Sequence, residues 1–423
     1  MFAQQRYLLM RILYISKTLS IHDYRFLEKF SSSDHEVLLF APENSSIPEP
    51  ISSLAGVRFM NFSHPRPRSD YKYYLSWQSI IIALRHIFYR VIERLGLRDK
   101  IFNHRTILSH SPFLVFFYRQ KLSKAIHKFK PDIIHAGWVQ LDGLIAALTG
   151  FKPILQMPWG SDILIAPFLS EQLLEQTKYV ISQASCIYCD CEEVKKTILK
   201  IADFEADKIE VFPMLGINLK LFNPQRTDSG IIDRIGWKDK RIIIMTRTFN
   251  PIYGVDYFIM ALPKIIESEP DTRVLLVGKG KLEDNLKKMV DSLDLTQYVR
   301  FTGEIPNEDL VYYLNCAEIY VSTSKSDGTS LSLLEAMACG LPVVVSDVPA
   351  NCEWVKDGEN GYIVPRKKVP PISEKVITLL NNPSQAQRMG EINLGIARER
   401  ADWNINFSLL ENIYREMTET NDE

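Results

Sequence analysis

The chain has 423 residues, 46% of them hydrophobic, and a net charge of −1. That length exceeds one ordinary domain and predicts two, each with ample apolar material for a core. A near-neutral charge excludes a surface built throughout for nucleic acid, and the absence of a run of about 18 apolar residues excludes a transmembrane helix. Six cysteines (Cys186, Cys189, Cys191, Cys316, Cys339, Cys352) are few for this length. Most lie in apolar runs, as expected of reduced, buried thiols in a cytoplasmic protein. The first three sit in the strand-like run CIYCDC, with no second pair or histidine cluster to complete a zinc site, so no metal is expected. The N-terminus lacks a signal-peptide pattern. Met10 begins the more typical opening MRILYIS, and residues 1–9 are expected to be a disordered extension or an upstream start.

In chain order, residues 11–16 read as a first strand, 23–30 as a helix and 35–40 (HEVLLF) as a second strand, a first βαβ unit. The loop between, SKTLSIHDYRF, contains no glycine. His22, Asp23 and Arg25 fill it, with Lys17 a weaker candidate, so side chains rather than backbone are expected to meet a ligand there. Asp23 is equally suited to capping the helix.

Residues 64–130 form a basic segment. It holds 14 Lys and Arg against Asp70, Glu93 and Asp99, a net +11, interleaved with Tyr71, Tyr73, Tyr74, Trp77, Phe88, Phe113, Phe116 and Phe117. Charge and apolar bulk together suit an anionic membrane surface. The plainer alternative is a set of helices with one packed and one solvated face. Nucleic acid is the poorer explanation.

Residues 131–135 (PDIIH) read as a strand ending at His135, and 152–156 as another that runs into MPWGSD, with Trp159 and Asp162. Both ends should open on a ligand crevice; Trp159 as core and Asp162 as a helix cap are the plain alternatives. Residues 186–190 and 209–213 supply further strands. A polar stretch, 223–236, then precedes a second α/β half. Its strands are expected at 241–246 (with Arg247 at the end), 273–277 and 299–303, and its helices at 307–314 and 372–380. Gly278-Lys279-Gly280 lacks the spacing of a Walker loop and reads as a turn. The last helix, about 402–417, places Trp403, Phe407, Leu410, Ile413 and Met417 on one stripe.

The most informative stretch is 318–364. EIYVS and LPVVVS are buried-type strands, and between them a polar turn with Gly328 leads into an apolar helix that Gly340 stops. Backbone N–H groups of Gly328, Thr329, Ser330, Leu331 and Ser332 lie at the helix start, a natural place for a phosphate. Asp327 stands at the mouth and Glu335 two turns deeper, where a carboxylate can accept hydrogen bonds from vicinal ribose hydroxyls. Alone, such a pair also fits a helix cap and a structural ion pair.

DGTSLSLLEAMACGLPVVVSDV followed by GENGYIV resembles the donor-binding segment of glycosyltransferase family 4, retaining enzymes of the GT-B fold. The likeness extends over about 11–418 and is strongest from 241 onward. It implies two doubly wound, Rossmann-like α/β domains facing across a cleft: residues 1–225 for the acceptor and 226–400 for a nucleotide-sugar, with a C-terminal helix, 401–423, returning to the first. It implies that Arg247 and the helix start hold a diphosphate and Glu335 a ribose. It also implies that Asp327 binds sugar hydroxyls and that Gly303, Glu304 and Ile305 meet the nucleobase edge. His135, Trp159 and Asp162 match acceptor and sugar pockets, and His135 joins Asp327, Glu335 and Arg247 as a catalytic candidate. Gly216-Ile217-Asn218 then Phe222 resembles the family's run near the interdomain hinge.

The chain departs from the family in four places. Asp327 replaces the first Glu of E-x7-E, Asn218 replaces an Asp, the first loop lacks a glycine pair, and Tyr253 stands where a diphosphate-binding lysine is usual. Either Lys279, Lys281 or Lys325 substitutes for that lysine, or activity is weak or absent. The expected donor is a UDP- or GDP-sugar, with no cofactor, and the expected acceptor a lipid-linked or carbohydrate hydroxyl at the inner membrane face. A nucleotide-sugar epimerase and a non-catalytic binding or recruiting subunit are the alternatives.

Overall fold

The structure is a computed structural model, and it describes residues 9–16, 19, 21–41, 51, 53–60, 112–213, 216–227 and 229–419. Lys17, nearly all of the 1–9 extension and residues 64–111 of the basic segment lie outside the described residues. The chain divides into two units. The first comprises Met1–Cys189, Val194–Glu210 and Glu411–Glu423; the second comprises Asp190–Glu193 and Val211–Leu410.

In the first unit, β1 (Arg11–Ile15), β2 (Glu36–Phe40), β3 (Val57–Met60), β4 (Ile133–Ala136), β5 (Ile154–Gln156), β6 (Cys186–Cys189) and β7 (Ile209–Val211) form one sheet. Its order is β3-β2-β1-β4-β5-β6-β7. β1 pairs in parallel with β2 on one side and β4 on the other, Leu13 lying opposite Leu38 and Ile134. Continuous apolar strands of this kind need cover on both faces. Leu13, Ile15, Ile134 and Ala136 pack on Tyr118, Leu122 and Phe129 of helix Pro112–Phe129. The end of helix Trp403–Glu419 belongs to this unit: Tyr414 is fully buried, and Glu411 lies 3.3 Å from His35 Nε2.

The second unit is a six-stranded parallel sheet of β8 (Arg241–Thr246), β9 (Thr272–Val277), β10 (Val299–Gly303), β11 (Ile319–Ser322), β12 (Val343–Ser346) and β13 (Gly361–Val364). The order is β10-β9-β8-β11-β12-β13. The period of two splits each strand between two cores. Ile243, Met245, Val274 and Leu276 pack on Phe258, Leu262 and Ile265 of helix Val255–Ser268. Ile242, Ile244, Tyr320, Val343 and Val345 pack on Leu333, Leu334 and Met337 of helix Leu331–Ala338. Strand order reverses between β8 and β11, and the carboxyl ends at such a reversal form a ligand crevice.

The unit boundaries differ from those expected at 225 and 400. Residues 211–225 belong to the second unit because Ile217 bridges to Asp402 and Phe222 sits in that unit's core. The final helix is shared, with its residues up to Leu410 in the second unit and those from Glu411 in the first. The strand expected to run to Asp190 stops at Cys189, and Asp190 joins the second unit.

Candidate donor site

Three strand ends build the site. β8 delivers Arg247, and β11 runs into the loop 323–330, which leads into helix Leu331–Ala338. The third, β12, pins that loop: Ser346 Oγ donates to the Ser324 carbonyl at 2.6 Å. Thr323 Oγ1 donates to the Gly254 carbonyl at 2.7 Å, and the Lys325 N–H to that of Ile252 at 2.7 Å. Gly254 (φ 62°) leaves no room for a side chain, since an added Cβ would overlap the Thr323 carbonyl. The loop is thus fixed to the segment that follows Arg247.

Arg247 is 9% exposed. Its Nη1 donates to Ser330 Oγ at 2.6 Å and Ser332 Oγ at 3.0 Å, its Nη2 forms an ion pair with Asp327, and its guanidinium lies 4.1 Å above the Tyr253 ring. Tyr253 therefore supplies a cation–π face to the arginine rather than a second charge. Burial works against the guanidinium's charge, but Asp327, Tyr320 and Tyr253 outweigh it and the group's pKa is raised. Burial raises the Asp327 carboxyl too, with Arg247 and the Gly328 N–H opposing the rise.

The helix start is only partly open. Ser330 is its N-cap, accepting from the Leu333 N–H at 3.3 Å, and the Thr329 N–H donates to Asp190 Oδ2 at 3.0 Å. Thr329 Oγ1 donates back to the Asp190 carbonyl at 2.5 Å. Asp190, a residue that sequence reasoning missed, covers Gly328 so closely that a Cβ there would lie 3.0 Å from its Cγ. The five N–H groups expected to face a ligand reduce to those from Ser330 to Ser332. Glu335 is 4% exposed on the same helix, near enough to Tyr320 and Cys339 that its charge helps raise both, after burial.

The other donor candidates stand at the end of β10. The Gly303 carbonyl accepts from the Gly278 N–H at 2.9 Å, Glu304 is exposed, and Ile305 packs partly into the second core. Among the substitute cations, Lys325 pairs with Asp256 at 3.8 Å and covers the Tyr257 ring. Lys279 lies beside Gly303, its Cε 3.3 Å from where a Cβ would stand, and Lys281 is exposed.

In the first unit the acceptor candidates do not form one open cluster. Asp23 is fully buried and accepts from Tyr14 at 2.9 Å, Arg25 is buried, and His22 lies in helix Ile21–Ser31, its side chain outside those described. His135 is fully buried, bonded to Tyr414 at 2.5 Å and to Met157 Sδ at 3.2 Å; burial lowers its pKa to about 3. Asp162 accepts from the N–H groups of Trp159 at 2.8 Å and Val139 at 3.1 Å. Burial pushes its carboxyl up to about 7. It ties two loops together rather than capping its own helix, whose N-cap is Gly160. Trp159 is half-buried. Cys186, Cys189 and Cys191 are buried free thiols, and among the described residues no cluster of metal-ligating groups occurs.

Two parallel α/β units, the second with a buried arginine aimed at a helix start, define a GT-B architecture. Solved structures share the fold at low identity. The Anabaena HepE structure in complex with UDP-glucose superposes with a TM-score of 0.71 at 17% identity, over 98% of this chain and 99% of that one. Sucrose-phosphate synthase from Thermosynechococcus elongatus gives 0.74 at 18%, over 97% and 100%. Residues 231–393 match the family described as glycosyl transferases group 1, and residues 97–191 the glycosyl transferase 4-like family. These matches, over two separate parts of the chain, are both to glycosyltransferase families and indicate the GT4 type.

A GDP-mannose-dependent monoacylated alpha-(1-6)-phosphatidylinositol monomannoside mannosyltransferase of Corynebacterium glutamicum is 30% identical over 198 residues, 44% of this chain and 51% of that protein. The Arabidopsis thaliana sulfoquinovosyl transferase SQD2 is 23% identical over 399 residues, 88% of this chain and 74% of that protein. The chain spans about half the length of the first of these relatives.

Proposed function

We propose that the protein transfers a sugar, with retention, from a nucleotide-diphosphate donor to a hydroxyl of a lipid-linked or surface-glycan acceptor. The observation that carries this reading is Arg247 buried at the end of β8 with Ser330 and Ser332 of the helix start in its grasp. A guanidinium and helix N–H groups stabilise charge that develops on a departing diphosphate. Glu335 holds the ribose hydroxyls, and Asp327 is shared between Arg247 and the sugar. The departing diphosphate accepts the acceptor's proton, so no separate base is required. A lipid-linked acceptor suits the basic segment 64–130, which would rest on an anionic membrane surface. Relatives named for phosphatidylinositol mannoside acceptors support that choice. Among the described residues no helix is long and apolar enough to cross a membrane.

The test is calorimetric titration with UDP- and GDP-sugars, then NMR of the anomeric configuration of the product formed on lipid-linked glycan acceptors. Binding and transfer with the donor's configuration kept are expected; an inverted product refutes the retaining mechanism. Tyr253 beneath Arg247, where the family resemblance leads one to expect a lysine, favours a second reading as a non-catalytic nucleotide-sugar-binding subunit. Donor binding without hydrolysis or transfer on any acceptor would select it.

A further inference from the structure

The buried charge around the helix start does not suit an incoming dianion. Arg247 brings one positive charge, and Asp327 and Asp190 bring two carboxylates, all within one loop and its neighbours. Glu335 adds a third carboxylate deeper in the helix. The diphosphate diester of a nucleotide-sugar carries two negative charges, and in a site of low polarity like charges a few ångströms apart repel strongly. Arg247 is already paired with Asp327, so the cation offered to the diphosphate is partly neutralised beforehand.

Asp190 is the group able to relieve this. It is 8% exposed, it lies against Gly328, and its Oδ2 takes the Thr329 N–H just ahead of the helix start. Resting on the donor-site reading above, we propose that Asp190 takes up one proton when the nucleotide-sugar binds and thereby couples donor affinity to pH. The proton comes from the buffer and settles on Oδ1, the oxygen that Thr329 does not use. Oδ2 keeps its bond, so the loop holds its shape while losing one negative charge. Asp190 is a positioning residue, acting on the donor through the loop.

The groups facing Asp190 fit this role. Burial pushes its carboxyl up to about 7, Asp327 adds to the rise, and the Cys191 thiol and the Thr329 N–H oppose it. The carboxyl is therefore poised near neutrality, and a dianion arriving nearby raises it further. Donor affinity should be flat below about pH 7 and fall above it, by at most about tenfold per pH unit for a single proton.

The experiment uses the full chain with UDP-glucose and GDP-mannose, diesters with no group that titrates near neutrality. Binding enthalpy is measured at pH 8 in buffers of low and high ionisation enthalpy, whose difference counts protons taken up. Close to one proton is expected at pH 8 and a smaller fraction at pH 6. Asp190→Asn keeps an acceptor for Thr329 without the charge. It should bind with no proton uptake and show at pH 8 the affinity that the parent shows at pH 6. Binding with no buffer dependence at pH 8 overturns the proposal without using the variant. Undiminished uptake in Asp190→Asn overturns it as well, placing the proton elsewhere. If neither nucleotide-sugar binds at any pH, the donor-site reading fails and takes the proposal with it, an outcome distinct from the other two.

Discussion

Gly328→Ala should disable the donor loop. An added Cβ would stand 2.9 Å from Asp190 Oδ1 and 3.0 Å from its Cγ, with Oδ2 nearer still, where ordinary contact begins at 3.4 Å. The Asp190 carboxylate has a short stem and is held by the Thr329 N–H at 3.0 Å, so it has little freedom to retreat. Moving Oδ2 away by about half an ångström takes that bond to the limit of hydrogen bonding. Overpacking of this kind costs roughly 1–3 kcal/mol, a fall of several degrees in the melting temperature of a unit of this size. Donor affinity should drop by more than tenfold, because Ser330 and Ser332 move with the loop and Arg247 loses its alignment. Thermal melts and donor titrations of Gly328→Ala, Asp190→Ala and the double variant check this. Removing the carboxylate makes room for the methyl, so the double variant should resemble Asp190→Ala alone rather than the sum of the two losses. An unchanged melting temperature and donor affinity in Gly328→Ala, or strictly additive losses, would refute the steric reasoning.

Arg247→Lys keeps a charge but cannot reach Ser330, Ser332 and Asp327 together, and donor affinity should fall about 10- to 100-fold by titration; parent-like affinity would remove Arg247 from the diphosphate site. Glu335→Gln should weaken donor binding by about 1–3 kcal/mol through loss of charged acceptance from the ribose; an unchanged dissociation constant makes the ribose assignment wrong. His135 has a pKa of about 3 in the fold against 6.5 for the free side chain, so its neutral form is the one the fold accepts. The stability it contributes is complete above about pH 6.5 and is lost as pH falls towards 3, amounting to about 2 kcal/mol by pH 5. Asp162, raised from 3.8 to about 7, acts in the opposite sense, its fold losing stability as pH rises through that window. The difference between parent and His135→Gln in urea unfolding at pH 7 and pH 5 isolates the histidine, and equal slopes in the two proteins would contradict its buried, neutral state. Vesicles rich in anionic lipid should retain the protein at low salt and release it at high salt; release of a variant with the lysines and arginines of 66–105 neutralised would assign the contact, and equal retention of that variant would refute it.

Strand identity was legible wherever the chain wrote an unbroken β-branched run. RIIIMT and VRFTG form strands with the bounds expected from sequence, and the reversal between β8 and β11 then dictates that Arg247 and the 323–330 loop share a crevice. Val57–Met60 and the amphipathic helices Glu171–Gln183 and Pro383–Arg400 escaped notice; the strand is short, and both helices are rich in polar residues that dilute the apolar stripe. His135 and Asp162 were legible as strand-end and loop polar groups, but not their burial. That depends on Tyr414, 279 positions away, and on the Val139 N–H, 23 positions away.

Asp190 shows where a one-dimensional reading stops. In CIYCDC it is a polar residue closing an apolar strand, and its partner, Thr329, lies 139 positions further on. Nothing local distinguishes it from a solvated strand end. Its burial follows from Gly328: only a residue without a side chain lets a carboxylate close over the turn, and only a turn so closed presents the Thr329 N–H to it. The glycine was visible in the sequence as a place where something comes close. A phosphate was the natural candidate for that something, and the chain instead places one of its own carboxylates there. The resulting excess of negative charge beside Arg247 is a property of three residues drawn from three separate stretches. It makes donor binding at this site depend on a proton as well as on the donor's own contacts.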